Sequence, residues 1–228
     1  MNSKYSENGI ILSEEQSLQL DKLAGYMIEY NRNVNLTRIT EPDEIVEKHY
    51  IDSILPLTMM NVPHGTKVID VGAGAGFPSL PMKIYRQDLD FTLLDSSNKR
   101  ITYLESACGI LGITYETVHA RGEELGRDPK YREKYGLAVA RAVAALNVLC
   151  EYCLPFVEVG GYFAALKGEK DEAAEAGNAI KKLGGETEEI KEYTLPGGDK
   201  RSLVIIKKIS PTPAQYPRVS AKIAKKPL

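Results

Sequence analysis

The sequence has no tryptophan and only four phenylalanines, so large ring surfaces come mainly from its 13 tyrosines. It has three cysteines, an odd number, which does not fit a closed disulfide framework. Cys150 and Cys153 make its one C-x-x-C spacing. A zinc site needs two further ligands, and Cys108, His49, His64 and His119 are scattered singly. No metal site is expected, and the paired thiols read as small apolar groups packed along a helix. No apolar run reaches about 18 residues, which argues against a membrane-spanning helix. The first ten residues, MNSKYSENGI, lack the apolar core of a signal peptide, so a cytoplasmic protein is expected.

Net charge is also nearly absent. A formal total of −2 on 228 residues gives no whole-chain sign of a polyanion partner. The distribution says more. From position 199 to the end there are eight basic residues, Lys200, Arg201, Lys207, Lys208, Arg218, Lys222, Lys225 and Lys226, against the single acid Asp199. A basic end on an acidic body suits contact with phosphate. A solvated tail has the same composition, and charge alone leaves both readings open.

What is present is a real core, 43% hydrophobic, with two distinct patterns. Ser13, an acidic pair and then Leu18, Leu20, Leu23, Met27 and Ile28 predict a capped amphipathic helix to about Tyr30. Residues 31–40 are polar and turn-rich. Glu41 and Pro42 open a second helical stretch carrying Ile45, Val46, His49, Ile51, Ile54 and Leu57, closed by Pro63, His64 and Gly65. From Lys67 the period changes to that of strands, at 67–71, 91–95, 115–119, 137–140, 161–166 and 203–207. Helical stretches fall between them at 79–85, 98–111, 144–156 and 171–183. Such alternation predicts βαβ units in an α/β, doubly wound, mostly parallel sheet. Residues 186–193 and 203–207, on either side of Pro196-Gly197-Gly198, can pair as an antiparallel edge. We therefore expect one structural unit: a helical extension (1–64), a core domain (65–210) and a basic tail (211–228).

The first strand runs into Asp70-Val71-Gly72-Ala73-Gly74-Ala75-Gly76, followed by Phe77-Pro78. Ligands of open α/β sheets sit beyond the carboxyl ends of the strands, and glycines let backbone approach where a Cβ would clash. A dinucleotide site prefers G-x-G-x-x-G, whereas the spacing here is G-x-G-x-G. Asp70 would repel a pyrophosphate and favour an ammonium or sulfonium, which favours S-adenosylmethionine over NAD. Asp95 ends the second strand 23 residues after Gly72, about where a ribose-binding acid falls. Capping of the helix that begins near Asn98 is the lesser alternative for Asp95, since Ser96 and Ser97 could cap it equally well. Arg121-Gly122-Glu123 follows the third strand, where adenine contacts would lie, and Arg141 follows the fourth.

With these residues in view, the chain resembles the bacterial 16S ribosomal RNA guanine-N7 methyltransferases, the GidB or RsmG family. The resemblance runs through Asn35-Leu36-Thr37, Ile39, His49 and Asp52-Ser53, then Asp70 to Pro78, Asp95 and Lys99-Arg100. It continues in Arg121-Gly122-Glu123-Glu124, Ala140-Arg141-Ala142, Leu166-Lys167-Gly168, Arg201, Tyr216-Pro217-Arg218 and Lys226-Pro227-Leu228. The family usually has alanine at Gly122, glycine at Ser79, and Gly and Pro where Ala221 and Ile223 stand. The resemblance implies a Rossmann-like class I methyltransferase sheet and S-adenosylmethionine as cofactor. The acceptor it implies is a guanine in the 530-loop region of 16S rRNA, free or in a small-subunit precursor.

On this reading the cofactor residues are Asp70, Gly72, Gly74, Gly76, Phe77, Asp95, Gly122, Glu123 and Arg141. Those for RNA are Arg121, Lys167, Arg201 and Arg218, with Arg141 also a candidate for phosphate or the guanine edge. N7 of guanine has a lone pair and no proton, so no general base is expected, and catalysis rests on positioning. An extruded base could stack on Phe77 or Tyr216. For Phe77, core packing or a cofactor wall weighs more, and His49 is expected to make a structural hydrogen bond in the helical extension. A monomer that does not engage membranes is expected. A small-molecule methyltransferase and a non-catalytic RNA-binding assembly factor are the competing readings.

Overall fold

The structure, a computed structural model, describes residues 2–169 and 172–228. A short helix α1 (Asn2–Glu7) precedes α2 (Glu14–Asn31). Ser13 caps α2 as expected: its Oγ accepts from the Gln16 amide, and the Gln16 side chain accepts from the Ser13 amide. The same Gln16 side chain donates to the carbonyls of Ile84 and Tyr85, which ties the extension to the core.

The second helical stretch is not one regular helix. A single turn α3 (Pro42–Glu44) leads into a π-helical segment (Ile45–Ile51) and then α4 (Asp52–Met59). In the wider π-helical turns, six of seven residues are buried, including Glu47, His49 and Tyr50. An α-helical period leaves about half of such a run exposed, so the sequence pattern could not anticipate this.

The seven-stranded sheet has the order β3-β2-β1-β4-β5-β7-β6. Its strands are β1 (Lys67–Val71), β2 (Asp90–Asp95), β3 (Glu116–His119), β4 (Tyr135–Arg141), β5 (Val157–Lys167), β6 (Gly185–Thr194) and β7 (Lys200–Lys208). The first five run parallel, and β7 and β6 close the edge antiparallel. Helices α5 (Ser79–Tyr85), α6 (Asn98–Leu111), α7 (Gly122–Leu125), α8 (Leu146–Cys153) and α9 (Ala173–Lys182) connect the strands. Asp171, placed at the start of the last of these by the sequence pattern, lies outside the described residues. Residues 220–225 add a small helix, α10 (Ser220–Lys225), whose Ile223 is fully buried.

The strand period divides the core into two layers. Val68, Leu137, Val139, Ala164, Leu203 and Ile205 face the layer shared with α2, α5 and α6. Ile69, Ala138, Ala140, Phe163, Val204 and Ile206 face the layer of α8, α9, Tyr216 and Leu228. Both faces of the central strands are covered, which is why they read as nearly continuous apolar runs. Strand β5 starts four residues before the expected 161, because exposed Glu158 and Val159 and two glycines hide its beginning. The chain moves outward from β1 to β3 and then crosses back to β4. The loops after β1 and β4 therefore diverge and leave a crevice at the carboxyl ends of the strands.

Candidate functional site

A cavity of about 520 Å3 lies in that crevice. Val71 to Ala75 and Phe77 from the glycine loop, Asp95 and Ser96 after β2, Arg121 to Glu123 after β3, and Arg141 after β4 line it. The loop is pinned from below: the amides of Gly72 and Ala73 both donate to the Leu94 carbonyl, at 2.8 and 3.0 Å. At Gly72 φ is +81°, and a Cβ would meet Val143 Cγ2 at 2.8 Å, so this position must be bare. Gly76, expected at the cavity, is not among its lining residues. A Cβ there would run into the Leu80 side chain, so it is a packing glycine under α5.

Asp95 stands at the cavity and is not the N-cap of α6, a position that Ser97 takes. It lines the cavity; Oδ2 accepts from the Gly74 amide at 2.9 Å, and Oδ1 accepts from the Ser97 amide at 2.8 Å just ahead of α6. Arg100 adds a longer ion pair at 3.4 Å. Asp70 is not at the cavity surface. The alternation of β1 turns it under α5, where it is fully buried beside Ser79. Burial raises its pKa to about 6, against the smaller opposing pull of Ser79 and Arg141. Glu123 is buried in the cavity wall. Arg121 is exposed at the rim and pairs with no carboxylate among the described residues.

A second cavity, of about 580 Å3, adjoins the first and is lined by Ile39, Lys48, Asp52, Lys167, Glu172 and Arg201, among others. His49, Arg141 and Ala142 line both. Arg141 donates to Asp52 Oδ2 at 3.1 Å and to the Lys48 carbonyl at 3.0 Å, and its guanidinium lies 5.4 Å from the Phe77 ring centre. The His49 ring stacks on Phe77, with centroids 4.1 Å apart and planes 9° from parallel. Arg141 also approaches His49 Nδ1 at 3.4 Å. Arginine can only donate, so Nδ1 is the acceptor and Nε2 holds the proton, which it donates to Thr37 Oγ1 at 3.1 Å. Burial first, and the Arg141 charge second, lower the His49 pKa to about 3. Asp52 is the hub of this wall. Beyond Arg141 it accepts from the Tyr193 hydroxyl at 3.0 Å and from Arg201 Nε at 3.5 Å. Ala142, the next residue, holds a φ of +55°, a strained value for a residue with a Cβ.

Of the basic residues expected at RNA, Lys167 and Arg201 face the second cavity, with Lys167 tethered to Glu172 at 3.0 Å. Arg218 does not join them. Its guanidinium is taken by the fully buried Glu151, at 2.6 Å between Nη2 and Oε2, and by the Lys226 carbonyl. Tyr216 is buried in the second core layer and has no face for a base. Cys150 and Cys153 are free and fully buried. Thr37 and Asp52 carried no role in the sequence reading, and His49 only a structural one. The available signal was the set Glu47, Lys48, His49 and Asp52, four polar ionisable residues inside an otherwise apolar helical stretch. Among the described residues no cluster of histidine, cysteine or acid could hold a metal ion, and no helix is long and apolar enough to cross a membrane.

A glycine loop at the switch point of a mostly parallel seven-stranded sheet, with an acid at the end of the next strand, defines a class I S-adenosylmethionine-dependent methyltransferase. An O-methyltransferase of that kind from Thermotoga maritima shares the fold with a TM-score of 0.52 and 15% identity over 81% of this chain and 71% of its own. The particular family follows from sequence. Residues 16–204 match the family model for rRNA small subunit methyltransferase G, GidB. Relatives named ribosomal RNA small subunit methyltransferase G are 47% identical in Pelotomaculum thermopropionicum and 48% identical in a Thermoanaerobacter species. Each alignment covers 97% of this chain, with 95% and 94% of the respective relative. The chain belongs to this family.

Proposed function

We propose that this protein methylates N7 of a guanine in the 530-loop region of 16S rRNA, with S-adenosylmethionine in the first cavity and the acceptor base entering the second. The observation that carries this reading is the shared wall. His49, Arg141 and Ala142 border both cavities, so a donor in one and an acceptor in the other would meet at this shared edge. The first cavity suits a cationic nucleoside. Gly72 leaves its floor bare, Asp95 and Glu123 stand in its walls, and the buried Asp70 carboxyl lies behind the loop. Gly74, Phe77 and Gly122 complete the proposed cofactor contacts.

The cofactor, when bound, supplies an electrophilic methyl group. Held by the glycine loop, Asp95 and Glu123, it would offer that methyl to the N7 lone pair, and the electron pair of the bond it leaves would stay on sulfur. No proton moves, and the guanine gains the positive charge. The chain's task is therefore alignment and exclusion of water. Asp52 pairs with Arg141 at 3.1 Å and more loosely with Arg201 at 3.5 Å, which orients both guanidiniums at the second cavity. Arg141 and Arg201 suit guanine O6 or a flanking phosphate, which leaves N7 unobstructed. Lys167 and the rim residue Arg121 suit the adjoining phosphates. The neutral His49 ring, at the edge shared by the two cavities, stacks on Phe77 and steadies that wall of the first. Acting on ribosomal RNA, the protein works as a cytoplasmic monomer in this reading.

The test is mass mapping of modified nucleosides in 16S rRNA from a strain lacking the gene. One N7-methylguanine is expected to disappear and to return on complementation. An unchanged pattern overturns the proposal.

A further inference from the structure

The basic C-terminal segment reads from sequence as an RNA-contacting tail. Its contacts in the fold are of another kind. The Arg132 guanidinium donates to the carbonyls of Gly126, Thr212 and Tyr216, and Arg127 donates to that of Gln215. These bonds lay the segment across α7, where Pro217 packs within 3.2 Å of the Cβ position of Gly126. Arg218 then closes on Glu151 of α8. The backbone amide and Nε donate to Oε1 at 2.7 and 2.9 Å, and Nη2 donates to Oε2 at 2.6 Å. Ile223 of α10 is fully buried beyond the latch.

Two neighbours of this latch face the first cavity. Tyr152, next to Glu151 on α8, lines it and packs against Gly122. Ser220, two residues beyond Arg218, lines it as well. A carboxylate with no exposure needs all its charge answered by the partner, so the Arg218–Glu151 pair holds the segment in one register. Lys222, Lys225 and Lys226 remain exposed on the outer side.

We propose that residues 212–226 form a belt that closes the wall of the cofactor cavity, latched by Arg218 on Glu151, and that Arg218 is a positioning residue for S-adenosylmethionine and not an RNA ligand. This rests on the reading that the first cavity holds that cofactor. The belt sets how tightly Tyr152 and Ser220 close on the ligand, while the RNA-facing cavity lies beyond the shared edge.

Calorimetry with S-adenosylmethionine tests this on the full chain. Arg218→Ala is expected to weaken cofactor affinity at least tenfold, Arg218→Lys to recover part of the loss, and Lys222→Ala to match the wild type. With cofactor saturating, RNA affinity of Arg218→Ala is expected to stay within about twofold of wild type. Unchanged cofactor affinity, or a loss confined to RNA, overturns the belt. Arg218→Ala leaves Glu151 buried without its partner and can fail to fold, so hydrogen exchange on the wild type is the second measurement. Cofactor is expected to slow exchange of amides in 217–226 and around Tyr152. Unchanged exchange in a protein that does bind cofactor overturns the belt alone, and a wild type that binds none takes the cofactor reading with it.

Discussion

At the scale of single residues, His49 sits in an environment far from what its type suggests. A histidine ordinarily titrates near neutrality, but this one is buried against Phe77 and beside the Arg141 charge, and its pKa falls to about 3. Its folded pKa lies below its unfolded value, so its contribution to stability is intact above about pH 6.5 and is lost as pH falls toward 3. Between pH 7.5 and pH 5 the unfolded chain gains a proton there that the folded chain refuses, a loss of about 2 kcal/mol. Denaturant unfolding of wild type and His49→Gln at the two pH values should show the variant losing less stability by about that amount. Equal losses would mean that His49 titrates normally. Asp70 makes the opposite point about residue-level reading. Its charge suggested a cofactor contact, and the strand alternation turned it into the core.

At the scale of elements, the loop between α2 and α3 forms part of both cavities. Leu36 and Thr37 line the first and Ile39 the second. Asn31 shapes this loop: its side chain accepts from the amides of Leu36 and Thr37 and donates to the Thr37 carbonyl. Asn31→Ala removes three hydrogen bonds, a destabilisation of about 1–3 kcal/mol. The Michaelis constants for cofactor and RNA are expected to rise together several-fold, because one loop serves both cavities. Steady-state kinetics with each substrate varied in turn checks this, and a rise for only one would separate the walls. Most strands and helices were legible from period and punctuation. The π-helical segment was not, because its burial follows the helices packed around it and not an α-helical period. The early start of β5 was hidden for a similar reason, since pairing of Val157 with Tyr135 recruits residues that carry no strand pattern.

At the scale of the whole molecule, charge is segregated around the site. Lys48, Arg141, Lys167 and Arg201 outnumber Asp52, Glu169 and Glu172 at the second cavity by one charge, while the outer edge strand β6 exposes Glu186, Glu188, Glu189 and Glu192. The acids guard that edge against strand pairing and turn a polyanion away from it. RNA binding is therefore expected to weaken steeply with salt, and cofactor binding only slightly. Arg201→Ala should lower the slope of log affinity against log salt by about one if this guanidinium meets a phosphate. Filter binding and calorimetry across a salt series measure both quantities. An unchanged slope would remove Arg201 from the RNA interface.

The sequence by itself determined the fold class, the position of the glycine loop and the acid at the end of β2. Each of these depends on local period and spacing, and local chemistry decides them. Only the tertiary structure decided which charges are available and which are spent. Arg141 meets Asp52 across 89 residues of chain and Arg218 meets Glu151 across 67. One ion pair stands at the edge shared by two cavities, and the other latches a tail whose composition had suggested free basic residues. A sequence displays a charge but not its partner, because the partner is chosen by packing. Burial then makes that choice binding, since a carboxylate removed from water must keep the cation that answers it.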